Sequence, residues 1–368
     1  MRLRQKGRQE GHQKGGARTQ PVNRNGHVIG LDLGATAIRA AILALSTKGE
    51  RLSVTLHDVG SVALPAGAIV NGAVTEQAVV TQALQQLWAT NGFKGQRVIL
   101  GVANPQVVVR PLQIPNLNAQ QRAKALPFQA REIVALPLDE VILDYAQVGD
   151  PDPKTGMVSG LLIATPRRPV LAAVEAVERA GLRVARVDLS SFGALRSIGD
   201  EHLVVQAVID LGAHLTSIVI HDHGVPKLVR TLARGGQELT DLLVENLNLT
   251  LEEAERVKCE TGLTGQRDAA SDALQAGIRP LLAEIRSSIN YFRAGNDGAQ
   301  IEGISLTGGG SALPGLAAAL SSQNGVPTGV VTPMQHIGDR QAATEPGAEE
   351  SDRAASAVSI GLALGAAA

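Results

Sequence analysis

The sequence predicts an α/β protein of two duplicated lobes, with a smaller α/β unit inserted in the first. Three observations predict it. A strand–turn–strand unit hinged on Asp-Leu-Gly-Ala occurs at residues 32–35 and again at 210–213. Short apolar runs alternate with helical patterns along the chain, as in layered α/β proteins. A glycine run, Thr307-Gly308-Gly309-Gly310-Ser311, follows an apolar run late in the sequence.

The totals suit such a fold. A chain of 368 residues favours two or three lobes over one core. Aromatic residues make up 2%, so the core must be built from Ala, Val, Leu and Ile, and few rings remain to stack on bases. Nucleic acid is therefore not an expected partner. Cys259 is the only cysteine, which excludes an intramolecular disulfide and a cysteine-based zinc cage and suits the cytoplasm. No run of 18 or more apolar residues occurs. The net charge of −1 is unevenly spread: residues 1–24 hold seven basic residues against Glu10, or +6, leaving −7 for the rest. Residues 1–26 read as a disordered basic tail, or as an arm touching anionic lipid or another acidic surface.

His27–Leu45 reads as a hairpin, with Ser53–Leu64 as a third strand. Thr75–Thr90 follows as a helix with Val79, Ala83, Leu87 and Trp88 on one face and Asn91-Gly92 as its stop. Arg97–Ile114 reads as a strand pair broken near Asn104-Pro105. Asn118–Leu136 reads as a helix kinked or ended by Pro127. Strands are expected at Val141–Val148 and Val158–Ala164, a helix at Pro169–Ala180 and a strand at Leu182–Asp188. Residues 97–188 are thus expected to form the inserted unit. The opening pattern returns at Val204–Ile220, which an internal duplication explains. Thr240–Thr261 and Ala273–Arg293 read as long helices, within a helical subdomain of about 237–300. Ile301–Leu306 reads as the strand before the glycine run, 337–352 as a polar surface loop, and Ala354–Ala368 as a buried closing helix.

The repeated turns carry the chemistry. Glycine at a bend lets backbone N–H groups approach phosphate oxygens, and an aspartate at the strand end can hold hydrated magnesium. Two such hairpins on facing lobes would grip a triphosphate from both sides. The three glycines after the later strand allow the chain to lie flat against a nucleoside, with a helix start adding a favourable dipole.

In this order, the two phosphate-type turns and the glycine run resemble the superfamily of actin, sugar kinases and heat-shock chaperones. A closer resemblance is to the PilM family, the actin-like ATPases of type IV pilus assembly, and more distantly to FtsA of cell division. It rests on I-G-L-D-L-G-A-T-A-I-R, R-P-L-Q-I-P-N-L, A-L-P-F-Q-A-R-E-I-V-A-L-P-L-D-E-V-I-L-D-Y, L-L-I-A-T-P-R-R-P-V and A-G-L-R-V-A-R-V-D-L. It continues through V-I-D-L-G-A-H, A-R-G-G-Q-E-L-T, E-E-A-E-R-V-K, L-T-G-G-G-S-A-L-P-G-L and A-V-S-I-G-L-A-L-G. The Pro-Leu-Asp-Glu and Leu-Asp-Tyr segment separates PilM from other actin-like families.

The resemblance implies an actin-like fold, with 27–96 as the first lobe, 97–188 as a partner-binding insert and 189–368 as the second lobe. It implies ATP and Mg2+ as ligands. Asp32, Gly34, Ala35, Thr36 and Arg39 would line the first phosphate hairpin, and Asp210, Gly212 and Ala213 the second. Asp32 and Asp210 would hold magnesium through water. Gly235 and Gly236 would approach phosphates or ribose, Glu255 and Lys258 would reach ribose and adenine, and Gly308, Gly309, Gly310 and Ser311 would pack on the nucleoside. Arg39 stands where Lys is common and His214 where a small or hydroxyl residue is. From sequence alone, a surface helical ion pair is the default reading of Glu255 and Lys258.

The implied partner is the N-terminal cytoplasmic peptide of a PilN-like bitopic inner-membrane protein, seated near Arg122–Leu136 and Leu161–Arg168. Other pilus platform proteins or self-association would follow, at the cytoplasmic face of the membrane. Asp188 and Ser190 are the only candidates for orienting a nucleophile, and neither has a recognisable catalytic spacing. Weak ATP hydrolysis is the most the sequence supports. An FtsA-like division protein would end in a basic amphipathic helix. A sugar kinase would carry an aspartate base in an Asn-Asp segment. Neither feature is found.

Overall fold

The computed structural model describes residues 26–48, 51–200, 202–264, 268–296, 298–333 and 354–365. The expected tail, residues 1–26, lies outside these except for Gly26, and the expected polar loop at 337–352 lies outside them entirely.

The first sheet begins with β1 (Gly26–Leu33), β2 (Ala37–Lys48) and β3 (Arg51–Ala63), joined antiparallel. A tight hairpin of β4 (Ile69–Val70) and β5 (Ala73–Val74) leads into α1 (Gln77–Asn91). Helix α1 buries Val80, Ala83, Leu84 and Leu87, and Val79 and Trp88 flank that stripe. It stops where Gly92 turns left-handed at φ 62°. Then β6 (Arg97–Val102) pairs parallel with β1.

The chain next leaves for a separate antiparallel sheet of β7 (Val108–Pro115), β8 (Val141–Gln147) and β9 (Met157–Pro166), in the order β7-β9-β8. Helix α2 (Ala119–Ala130) packs on it, opened by an Asn118–Gln121 capping box and ending three residues after Pro127. The chain returns through α3 (Arg167–Arg179) to β10 (Arg183–Leu189), which pairs parallel with β6.

This corrects the expected insert. The strands at both ends of 97–188 belong to the first sheet, whose order is β10-β6-β1-β2-β3. Strands β6 and β7 are therefore not a pair, and the separate sheet lies within 108–166. Alternation along a strand fixes which face is buried, but the identity of a parallel partner is set by distant segments.

After α4 (Ser190–Ile198) the plan repeats. Strands β11 (Val205–Leu211), β12 (Thr216–Asp222) and β13 (Val225–Leu232) are antiparallel. Three helices follow, α5 (Gln237–Leu247), α6 (Leu251–Thr261) and α7 (Ala269–Gly295). Strands β14 (Gly303–Thr307) and β15 (Thr328–Val330), linked through α8 (Leu316–Asn324), add in parallel to β11. The order β13-β12-β11-β14-β15 repeats that of the first sheet strand for strand. The duplication thus covers the whole sheet. The helix expected over Thr240–Thr261 is two helices, because Asn248 adopts the left-handed conformation and Thr250 starts a new helix with a Glu253 capping box.

Helix α9 (Ala357–Leu364) is buried and packs on β1 and β2 of the first sheet. Helix α4 follows the first sheet in sequence but packs on β11 and β12 of the second. The two helices cross each other between the lobes, and they share one core with strands of both sheets, α9 reaching the first sheet from the far end of the chain.

Candidate functional site

A cleft of about 960 Å³ lies between the lobes at the carboxyl ends of β1, β6, β11 and β14. This is where open α/β sheets place ligands, and the volume suits a nucleotide-sized molecule. It is lined by Asp32, Gly34, Ala35, Thr36 and Arg39 from one side and Asp210, Gly212, Ala213 and His214 from the other.

The two turns are built alike. The Gly34 amide donates to the Ala37 carbonyl at 3.1 Å, and the Gly212 amide donates to the Leu215 carbonyl at 2.9 Å. Gly34 and Gly212 therefore shape the turns. The amides of Ala35, Thr36, Ala213 and His214 meet no protein acceptor among the described residues. Four free N–H groups at two facing turns form a nest for anionic oxygens.

Asp32 and Asp210 end the strands that lead into these turns. Burial pushes the Asp32 carboxyl up to about 6, against the pull of Arg39 and a hydrogen bond from Ser190. Burial and the charge of Asp32 push Asp210 up to about 7, again against Arg39. Both lie deep in the cleft, yet each keeps part of its side chain open to it. Two desolvated carboxylates repelling each other beside a nest of amides fit a hydrated divalent cation paired with phosphate. Arg39 stands opposite Asp32 across the β1–β2 ladder, with its guanidinium near the Gly34 turn.

These shifts give a pH dependence. Between about pH 4 and 7 the folded cleft holds protons that the unfolded chain has released, so the ligand-free protein loses stability as pH rises. The expected slope is about 1.4 kcal/mol per pH unit for each carboxylate within its window. Urea unfolding from pH 5 to pH 8 should show it, and Asp32→Asn with Asp210→Asn should flatten it. An unchanged slope in the double variant would assign the dependence elsewhere.

Gly235 does not line the cleft. Its Cβ would sit 2.3 Å from the Ala213 carbonyl oxygen and 2.4 Å from that of Gly212, so its role is to let α5 approach the second turn. The Gly236 and Gln237 amides donate to those same two carbonyls at 3.0 and 2.9 Å, locking the turn to α5. Gly236, Glu255 and Lys258 do line the cleft. Lys258 Nζ donates to Glu255 at 2.7 Å, to Thr240 at 2.8 Å and to the Gly236 carbonyl at 3.3 Å. Its side chain is 12% exposed. The pair is thus part of a network joining α6 to α5, and not an isolated surface ion pair. Thr240, which also donates to Glu255 at 2.7 Å, was not legible as part of it.

Gly308, Gly309 and Gly310 also line the cleft, with Gly310 close to Gly236. Gly308 has φ 83°, and its Cβ would meet Asp210 Oδ1 at 2.4 Å. Ser311 is buried and its hydroxyl donates to the Gly308 carbonyl at 2.7 Å, so it holds the turn and does not face the cleft. The expected helix start here is a short 3-10 turn, Gly309–Ala312, with α8 beginning only at Leu316.

Two further placements differ from the sequence reading. Asp188 is turned from the cleft to Arg196 at 2.9 Å and Arg186 at 3.4 Å, and these arginines also donate to the carbonyls of Gly361, within α9, and Gly365, just past its end. Ser190 does line the cleft. Sequence reading missed Asn71-Gly72, the turn between β4 and β5, which reaches into the cleft toward Leu215 of the second lobe. Both residues have positive φ, and Asn-Gly between apolar residues was the signal.

The sequence profile of type IV pilus assembly protein PilM matches residues 30–367. A solved PilM-PilN type IV pilus biogenesis complex is similar at 27% identity and TM-score 0.75, covering 93% of this chain and 98% of that one. MreB 5 of Spiroplasma citri bound to AMPPNP is similar at 12% identity and TM-score 0.51, covering 94% and 96%. Cell division protein FtsA of Bacillus subtilis (strain 168) is 23% identical over 278 residues, which are 69% of this chain and 62% of that protein. The architecture is the actin-like ATPase fold.

Proposed function

The chain belongs to the family of type IV pilus assembly protein PilM, and from that premise we propose that it is an ATP-binding scaffold of a type IV pilus or related secretion platform. It binds the cytoplasmic tail of a PilN-like inner-membrane protein, sits at the inner face of that membrane, and turns ATP over slowly or not at all. The observation that carries the nucleotide part is the pair of matched turns, each with an aspartate and free amides facing one cleft.

In this reading, Asp32 and Asp210 hold hydrated Mg2+, which supplies positive charge for the phosphates. The amides of Ala35, Thr36, Ala213 and His214 hold phosphate oxygens, and Arg39 adds a fork of donors that can take two of them. Gly236, Glu255 and Lys258 meet ribose and base, together with Gly308, Gly309 and Gly310. The PilN complex and the AMPPNP-bound MreB support partner and nucleotide binding by likeness. Slow turnover is supported by Asp188, whose carboxylate is tied to arginines and takes no part in the cleft.

The partner face is narrower than expected from sequence. Leu161–Pro166 is a buried stretch of the central strand β9 and cannot line a groove. On α2, by contrast, Phe128 is 68% exposed beside Arg131, whose guanidinium lies 5.4 Å from its ring centroid. An aromatic held outward with a cation over it is a natural anchor for a peptide. Phe128→Ala should leave the fold intact and weaken binding of a synthetic PilN-type N-terminal peptide about tenfold. Fluorescence anisotropy measures this, and unchanged affinity would remove α2 from the partner face.

A further inference from the structure

Asp32, Gly101 and Ser190 line the cleft together, from β1, β6 and the start of α4. Strand β6 lies between β1 and β10. The register pairs Leu31 with Leu100 and Asp188 with Gly101, so Gly101 sits between the end of β1 and the end of β10. It has no side chain to fill that place. A Cβ on Gly101 would lie 2.8 Å from Ser190 Oγ, so the hydroxyl occupies the space that the glycine leaves open. From there Ser190, which is buried, donates a hydrogen bond to the Asp32 carboxylate of the neighbouring strand.

A serine hydroxyl has one proton to donate. With that proton committed to Asp32, Ser190 has none for a phosphate oxygen or an attacking water. The carboxylate has further lone pairs and keeps them for other donors. Arg39 acts on Asp32 through its charge, and Ser190 is the one hydrogen-bond donor to that carboxylate among the described residues. The Asp210 carboxylate meets no donor among them.

We propose that Ser190 is the positioning residue for Asp32, holding the carboxylate in the orientation that meets hydrated magnesium. The inference rests on the proposed magnesium-nucleotide reading of the cleft and adds to it a residue that acts through Asp32. A partner behind a metal ligand fixes the ligand's direction before the ion arrives, which is where much of a site's affinity originates. The position of Ser190 in the fold gives this a second consequence. Helix α4 packs on β11 and β12 of the second sheet, and Asp210 ends β11. The carboxylate of the first lobe is therefore held by a helix seated against the strand that carries the carboxylate of the second. The two aspartates keep a fixed spacing although they come from different sheets.

Calorimetric titration of the full chain with ATP over a magnesium series, held at pH 8, tests the proposal. Ser190→Ala is expected to raise the magnesium concentration needed for half-maximal ATP affinity about tenfold. Its ATP affinity without metal should be unchanged, whereas a general loosening of the cleft would lower both. Ser190→Thr keeps the hydroxyl and should need no more magnesium than the parent. Ser191→Ala, one position along α4 and outside the cleft lining, is the control and should behave as the parent. A Ser190→Ala protein with the parent's magnesium requirement would overturn the inference. So would one whose ATP affinity falls equally with and without metal, or a Ser190→Thr protein as impaired as Ser190→Ala. A parent chain that binds ATP without regard to magnesium would instead overturn the reading on which the inference rests.

Discussion

Replacing Gly361 by alanine is expected to destabilise the protein by about 3 kcal/mol or more. Helices α4 and α9 cross where Gly361 meets Gly193, and a Cβ on Gly361 would lie 1.7 Å from the Gly193 carbonyl oxygen. That neighbour is backbone, so it cannot swing aside as a side chain could. Separating the helices would also disturb the contact of α9 with β1, where a Cβ on Gly30 would lie 1.9 Å from the Ser359 carbonyl oxygen. Because α4 and α9 share one core with strands of both sheets, the loss should appear as one cooperative shift in a urea titration. Gly309→Ala is the control, since a Cβ there meets nothing within 4 Å. It should leave stability unchanged. A Gly361→Ala protein as stable as the parent would mean that the helices do not cross as closely as described.

Removing both cleft carboxylates should have the largest effect on ligand binding. Asp32→Ala with Asp210→Ala is expected to lower affinity for ATP in the presence of magnesium by about a hundredfold or more, an effect of about 3 kcal/mol. The same variant should lose its magnesium dependence, because the residual contacts are amides and Arg39. Its fold should survive, since the burial that raises both carboxyls makes them costly in the ligand-free state. Isothermal calorimetry with and without the metal separates these outcomes. Full magnesium dependence in the double variant would place the cation elsewhere.

The hairpins were legible because their signals are local: apolar alternation, an aspartate at the strand end and glycine at the bend. The glycine run was legible for the same reason. Membership of β6 and β10 in the first sheet was not, because a parallel partner lies far away in sequence and leaves no mark in the strand itself. Asn248 and Thr250 did carry a break and a cap, but the apolar periodicity through Leu243, Leu247 and Leu251 masked them. Glu255 and Lys258 looked like a surface pair because their third member, Thr240, comes from another helix. Asp188 drew attention by its position before Ser190, while its partners Arg186 and Arg196 lie on either side of it in sequence and turn it toward α9. The crossing of α4 and α9 depends on glycines that sequence reading treats as ordinary helix interruptions.

The central claim is that two matched turns hold a magnesium-bound nucleoside triphosphate between the lobes. A calorimetric titration of the unmodified full chain with ATP at pH 8, where both carboxyls are ionised, tests it most directly. The account predicts one site per chain, with affinity that falls sharply when magnesium is withdrawn and weakens as the pH is lowered through 7 to 6. Absence of binding at pH 8 with magnesium present, or binding indifferent to both metal and pH, would contradict it.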